Sequence, residues 1–355
     1  MSMKRSLPLI LLIVIGLLIS ACGSGQPMNM SWAGLSASKD AKVAYLANGL
    51  HVYAVNVADG TQLWKYPEQA NAAAAFYATP VLSQDGTQLL VGDYGNVFHS
   101  LDPQTGAEKW KYDQIKGRIV GSPLATADGI YVPSTDHNLY ALTLEGQFRW
   151  SFTATHAIWA QPVTDGKLIY AASMDHFIYA IDPQNGIEKW KLDLGGAIYA
   201  APLLDNGVLY VGTLANQIVA VDTLTQKILW TYATEGGIWG TPILKDGKLY
   251  TGDTAGYPYI LDIKNGTGLK LPALKGAIIA GPVFTDNGFI IVTEGGTIYF
   301  KDLEGNAVSE ASVTGKLYTS PVLAGGDVLL AENSSSFALQ LMNVSGGQKW
   351  SFEAK

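Results

Sequence analysis

The feature that most limits how this chain can fold is a repeat with a period near forty residues. The stretch Ala180-Ile181-Asp182-Pro183-Gln184-Asn185-Gly186-Ile187-Glu188-Lys189-Trp190 recurs eighty residues earlier as Ser100-Leu101-Asp102-Pro103-Gln104-Thr105-Gly106-Ala107-Glu108-Lys109-Trp110. Weaker copies end at Trp64, Trp150, Trp230 and Trp350. Aligned on that column, the positions run Trp64, Trp110, Trp150, Trp190, Trp230, Lys270, Ser309 and Trp350, 39 to 46 residues apart. A second column keeps the register: Pro80, Pro123, Pro162, Pro202, Pro242, Pro282 and Pro321 each lie 27 to 30 residues before their partners, with Leu35 in the first unit. Eight units account for residues 30–355, and a period of this size marks a solenoid or a propeller.

Within a unit the strand signals are regular. In the fourth, the run Ala157 to Val163 reads as extended, Asp165-Gly166 as a tight turn and Lys167 to Ala172 as a second strand. A turn at Ser173 to His176 leads into Phe177 to Ile181, and Asp182 to Gly186 turns into the Trp190 strand. That is four short strands joined by hairpins. The turn signal recurs at Asp85-Gly86, Asp128-Gly129, Asp246-Gly247 and Asn287-Gly288, where positive φ is cheap. The chain is therefore predicted to be all-β, an eight-bladed β-propeller of four-stranded antiparallel blades. An open solenoid is the second reading, but it would leave two apolar end faces in need of caps. How the ring closes stays open, because the last unit already ends in its own Trp350 strand and Met28 to Ser31 either add to it or do not. Charged residues make up only 15% while Gly (39), Tyr (18) and Trp (9) are plentiful, which suits short, tightly turned strands.

Ahead of the repeats, Lys4 and Arg5 precede an apolar run from Leu7 to Ile19 and then Ser20-Ala21-Cys22. That run fits the core of a secretory signal better than a membrane span of about 20 residues. The region resembles a bacterial lipoprotein signal, with Ile19-Ser20-Ala21-Cys22 in place of Leu-Ala-Gly-Cys. The resemblance implies a signal peptide over 1–21 and a lipid-bearing first residue at Cys22, the chain's only cysteine. Residues 22–29 then read as a lipid-bearing flexible tether and 30–355 as the propeller. Gly23 rather than Asp follows the cysteine, so the expected home is the outer membrane where one exists, and otherwise the outer face of the cell membrane. The net charge is −7, or −9 once Lys4 and Arg5 leave with the leader, which disfavours a nucleic-acid partner.

The motif Ala-x-Asp-x-x-Thr-Gly-x-x-x-Trp resembles the tryptophan-docking repeat of the pyrroloquinoline-quinone-like propellers, a family that includes eight-bladed quinoprotein dehydrogenases and BamB-like scaffold lipoproteins of outer-membrane protein assembly. The likeness spans essentially the whole mature chain and implies the fold; function does not travel with a fold. It further implies that Trp64, Trp110, Trp150, Trp190, Trp230 and Trp350 dock blades together, with Gly60, Gly106, Gly186 and Gly346 completing the turns. An aromatic ring buried at such a seam is worth about 3 to 5 kcal/mol on truncation. The repeat decays at Gln226, Lys270 and Ser309, so blades six and seven are expected to be held differently.

Several constellations remain. Three residues before the second column stand Trp32, Tyr77, Val120, Trp159, Tyr199, Trp239, Ile279 and Tyr318, six of them aromatic. Burial between blades is the preferred reading, and a ring facing a central ligand the other. Asp136-His137 and Asp175-His176 occupy matching turns, but a third ligand is missing, so no metal site is expected. His51, His99 and His156 show no recurring spacing. Arg118 and Lys316, each five residues before its proline, are the candidate anion contacts at one mouth of the funnel. The quinone cofactor carries three carboxylates and calls for arginine, yet the mature chain has only Arg118 and Arg149. Neither an adjacent cysteine pair nor a catalytic motif is present. The expectation is a non-enzymatic, membrane-anchored scaffold with protein partners in the cell envelope and no cofactor, PQQ included. A ligand-sensing surface lipoprotein is the alternative, and a PQQ-dependent oxidoreductase a more distant one.

Overall fold

The chain is described from a computed structural model covering residues 32–334 and 336–354, within the unit Ser31–Lys355. The signal peptide expected over 1–21, Cys22 and the tether expected over 22–29 lie outside the described residues. Among the described residues the chain forms eight four-stranded sheets, each a simple antiparallel meander of consecutive strands, arranged as an eight-bladed β-propeller. The blades span residues 34–66, 81–112, 124–153, 163–193, 203–233, 243–270, 283–312 and 322–352.

Blade 4 illustrates the physics. Its strands are Val163–Thr164, Ile169–Ala172, Phe177–Ile181 and Glu188–Asp193. The two central strands are buried on both faces because a neighbouring blade covers each side. The outer strand alternates, and within it only Trp190 is fully buried. A β-bulge between Ala180 and Ile181 lets Ala180 pair with Trp190, and the same bulge recurs in the sheets of blades 1, 2, 3, 5, 7 and 8. The innermost strand is shorter than the sequence predicts, since of the run Ala157 to Val163 only Val163 joins the ladder, with Thr164 after it. Pro162 has no N–H to give, and the inner segments press on each other instead. At Gly121 a Cβ would lie 2.0 Å from the Trp159 carbonyl oxygen, so the bare backbone permits that approach.

Eight apolar layers, one per seam, make up the core, and the eighth joins the last blade to the first. There Leu329, Leu339 and Phe352 pack on Leu35, Leu46 and Tyr53. The Thr319 hydroxyl donates to the Ala33 carbonyl across the same seam. Closure is thus by side-chain packing, and blade 8 draws all four strands from residues 322–352.

The tryptophan column supplies a second link at most seams. Trp64, Trp110, Trp150, Trp230 and Trp350 each lie against a glycine in the turn of the next blade: Gly106, Gly146, Gly186, Gly266 and Gly60. Each of their indole nitrogens donates to a carbonyl of that turn: Pro103 (3.1 Å), Leu144 (3.1 Å), Pro183 (3.1 Å), Ile263 (2.9 Å) and Val57 (2.9 Å). The indole NH and the glycine face therefore fasten blade to blade in one rotational sense. Gly146 and Gly266 perform this docking although the sequence reading passed over them. Trp190 packs into the blade 5 seam, where the equivalent turn carries Gln226 at φ 58°.

Where the tryptophan is missing, other residues stand in. In blade 6 the Leu271 side chain covers Gly305, and the Tyr250 hydroxyl donates to Leu303 in the next turn (3.0 Å). Lys270, in the tryptophan position, reaches back to Glu235 (2.5 Å). In blade 7 Ser309 has no aromatic substitute, and Gly346 opposite is met only by Ala311 and Phe300 side chains and a backbone oxygen.

Candidate functional site

The aromatic column does not lie between blades. Trp32, Tyr77, Trp159, Tyr199, Trp239 and Tyr318 line an axial channel with a cavity of about 370 Å³, together with Val120 and Ile279. The preferred sequence reading is therefore corrected. In a strand-like segment residues two apart share a face, so Thr79, Ser122, Gln161, Thr241 and Ser320 follow the aromatics into the same channel. Trp32 reaches across it, with ring centroids 6.3 Å from both Trp159 and Trp239 and 6.4 Å from Tyr318. Tyr199 and Trp239 stack at 5.0 Å, and Trp159 meets Tyr199 edge-on at 5.0 Å. The buried Trp159 indole nitrogen has no hydrogen-bond partner. Among the described residues no charged side chain lines this cavity. A neutral planar molecule suits such walls, whereas the tricarboxylate quinone of the related dehydrogenases would find no counter-charge there.

The candidate cations stand at the mouth. Arg118 lies over the Tyr94 ring at 4.9 Å, and Tyr94 packs at a tilt against Tyr77 of the channel, with centroids 4.1 Å apart. The Arg118 backbone is pinned by donation to the Thr135 hydroxyl (2.8 Å). Among the described residues the guanidinium forms no ion pair, so its N–H edges face an open groove shared with Lys116, His156 and Met174. Lys316 differs. Its ammonium is 2.7 Å from Glu294, and that hydrogen bond, helped by Tyr318, raises its pKa. Arg118 and Lys316 precede blades 3 and 8, and Lys316 is already paired with Glu294.

The Asp-His turns have a mechanical role. Asp136 accepts from the Tyr140 hydroxyl (2.7 Å) and from the Lys116 amide (3.0 Å) in the segment leading into its own blade. Asp175 repeats the pattern with Tyr179 (2.7 Å) and the Thr155 amide (2.9 Å), and Asp253 with Tyr259 (2.7 Å) and the Gly236 amide (2.9 Å). Burial works to raise the Asp136 carboxyl, but hydrogen bonds from Tyr140 and Asn138 hold it below the usual range. Burial, and then the bond to Asp136, push the Tyr140 phenol up. His137 and His176 take the left-handed turn positions, at φ 75° and 81°. These carboxylates are committed to clips, and no metal-holding group exists among the described residues. Removing the Tyr259 hydroxyl with Tyr259→Phe leaves the buried Asp253 one donor short, and chemical denaturation is expected to register a loss of about 1.5 to 3 kcal/mol.

One cluster escaped the sequence reading. His99 is buried between Glu108 (2.8 Å) and Asp93 (3.3 Å), and Glu108 also accepts from Tyr66 of blade 1 (2.6 Å). Its members lie on four different strands or turns, so no local spacing betrays it. Asp93 and His99 are buried at the seam between blades 1 and 2 while Glu108 stays exposed, and together with Tyr66 they brace the seam.

No curated protein sequence matches the chain. Among solved structures it is similar to BamB from Moraxella catarrhalis, at 17% identity and a TM-score of 0.69 over 88% of this chain and 91% of that one. It is also similar to the computationally designed Ika8 protein, at 14% identity and a TM-score of 0.74 over 88% and 96%. A chain of the mitotic checkpoint complex matches at 14% and a TM-score of 0.62 over 73% and 83%. Likenesses this distant show the propeller fold alone. The family described as "Outer membrane protein assembly factor BamB" matches residues 48–267, well over half of the chain and reaching from blade 1 into blade 6. On that match, the chain belongs to the BamB family of propellers.

Proposed function

We propose that this protein is a non-enzymatic scaffold of the bacterial cell envelope, held to a membrane through lipid on Cys22, that offers its rim and funnel to protein partners in outer-membrane protein assembly. The family match over 48–267 carries this reading. The architecture suits it, because a closed ring with an apolar layer at each seam presents rigid loops around a concave mouth. Crosslinking in native membranes followed by purification is the direct test: capture of an envelope complex is expected, and recovery of the propeller alone would refute the scaffold. For the anchor, Cys22→Ser is expected to move the protein from the membrane to the soluble fraction; membrane retention of that variant would remove the lipid from the reading.

A second reading rests on the uncharged aromatic channel. A ligand-sensing lipoprotein would show a thermal shift with a neutral planar or sugar-like compound, and Tyr199→Ala would abolish the shift. Oxidoreductase activity is not part of the proposal. Dye-linked oxidation appearing on addition of quinone and calcium would reverse that position.

A further inference from the structure

The seam between blades 7 and 8 contains a cavity of about 240 Å³ lined by Gly288, Phe300, Lys301, Val308, Leu323 and Val344, among others. Its position in the repeat identifies what it is. At the seam between blades 2 and 3, Ser100 pairs with Trp110, whose indole nitrogen donates to the Gln88 side chain (2.9 Å) and to the Leu144 carbonyl of the next turn. In blade 7 the same register pairs Phe300 with Ser309, Gly288 takes the place of Gln88, and in blade 8 Val344 takes that of Leu144. The cavity is thus what remains of a docking socket whose indole and whose Gln side chain are both missing. Phe300, at the position Ser100 holds in blade 2, and Ala311 lie against Gly346, yet a hollow persists beside Gly288 and Val344, where the indole N–H end would lie.

Three further observations mark the socket as unsatisfied. The Ser309 hydroxyl is buried with no hydrogen-bond partner. Val308 and Val344 are 68% and 44% exposed at the opening, although both are β-branched aliphatic residues. Lys301 is only 8% exposed, its ammonium donates to the Gly305 carbonyl (3.0 Å), and burial lowers its pKa. A well-packed interior leaves few hollows of this size. The vacated blade 6 position, by contrast, is covered by Leu271 and Tyr250.

We propose that the socket between blades 7 and 8 is a docking site for an aromatic side chain, an indole above all, presented by an extended segment of a partner protein. The five self-docked indoles set on a turn glycine define the chemistry: a flat apolar ring between two blades, with one N–H aimed at a turn carbonyl, here that of Val344. An aromatic anchor entering a largely preformed pocket is the kind of contact that dominates protein interfaces. The inference rests on the scaffold reading in taking the donor to be a protein segment.

The test follows backbone amide shifts of the full propeller with N-acetyl-tryptophanamide as the probe and N-acetyl-leucinamide as the aliphatic control. Saturable shifts at Val308, Ser309 and Val344 are expected with the tryptophan probe, and at least tenfold weaker binding with the leucine one. Restoring the regular pair with Ser309→Trp and Phe300→Ala together fills the socket from within, and is expected to abolish the shifts. Should that double variant fail to fold, Val344→Glu places a carboxylate at the exposed opening and is expected to weaken binding at least tenfold. Absence of saturable shifts, or shifts undiminished in the filled or Val344→Glu variant, overturns the site. Loss of membrane crosslinks while the probe still binds would instead count against the scaffold reading alone.

Discussion

Trp150→Ala is expected to be among the most damaging single substitutions in this protein, lowering stability by about 3 to 5 kcal/mol. The ring is 8% exposed, lies against Tyr131 at 5.7 Å between centroids, covers Gly186 of the next blade and donates to the Pro183 carbonyl. Truncation removes the packing of blade 3 on blade 4 and leaves a hollow that rigid neighbouring sheets cannot collapse into. Denaturant unfolding followed by circular dichroism would measure the loss. An unchanged midpoint would mean that the seams hold without their indoles. Because each blade touches only its two neighbours and the ring is closed, a cut at one seam is expected to lower the whole transition and not to free a single blade.

Gly186→Ala is expected to lower stability by a comparable amount for a different reason, and Gly166→Ala supplies the internal control. Both glycines take positive φ, at 73° and 85°, so each alanine meets a left-handed penalty of about 1 to 2 kcal/mol. At Gly166 nothing lies within 4 Å of the new Cβ, whereas at Gly186 it would sit 2.6 Å from the Trp150 ring. An indole wedged between two blades is not a flexible chain end, and forcing it aside adds about 1 to 3 kcal/mol. The difference between the two variants isolates docking from backbone conformation. Equal losses in the two would show that the glycine at the docking turn is there for its φ alone. Gln226 is the natural precedent for the φ component, since a side chain already occupies the left-handed position at φ 58°.

The docking columns were legible because they are periodic. The Asp-Pro turn, the glycine and the tryptophan recur at one spacing, and an eightfold pattern in sequence becomes an eightfold pattern in space. The decay at Lys270 and Ser309 was visible for the same reason. Its consequences were not, since Leu271 and Tyr250 replace the indole of blade 6 from other positions, whereas the seam between blades 7 and 8 keeps a cavity that no composition reveals. His99 was similarly opaque: its partners Asp93, Glu108 and Tyr66 belong to two blades and meet only because the blades stack.

The aromatic column marks the boundary most clearly. Periodicity establishes that Trp32, Tyr77, Trp159, Tyr199, Trp239 and Tyr318 are equivalent and point the same way, but a column pattern is identical whether it faces a neighbouring blade or the axis. Closure of the ring decides for the axis, because the inner segments converge there and the Pro column removes them from the sheet ladders. The sequence by itself therefore determined the number of blades, their order and the tryptophan column that fastens most of them, all of which follow from local turn chemistry and a repeated hydrophobic register. Which equivalent residues face a partner, which cation is left unpaired and which seam stays open depend on contacts between blades far apart in the chain, and only the tertiary structure decides them.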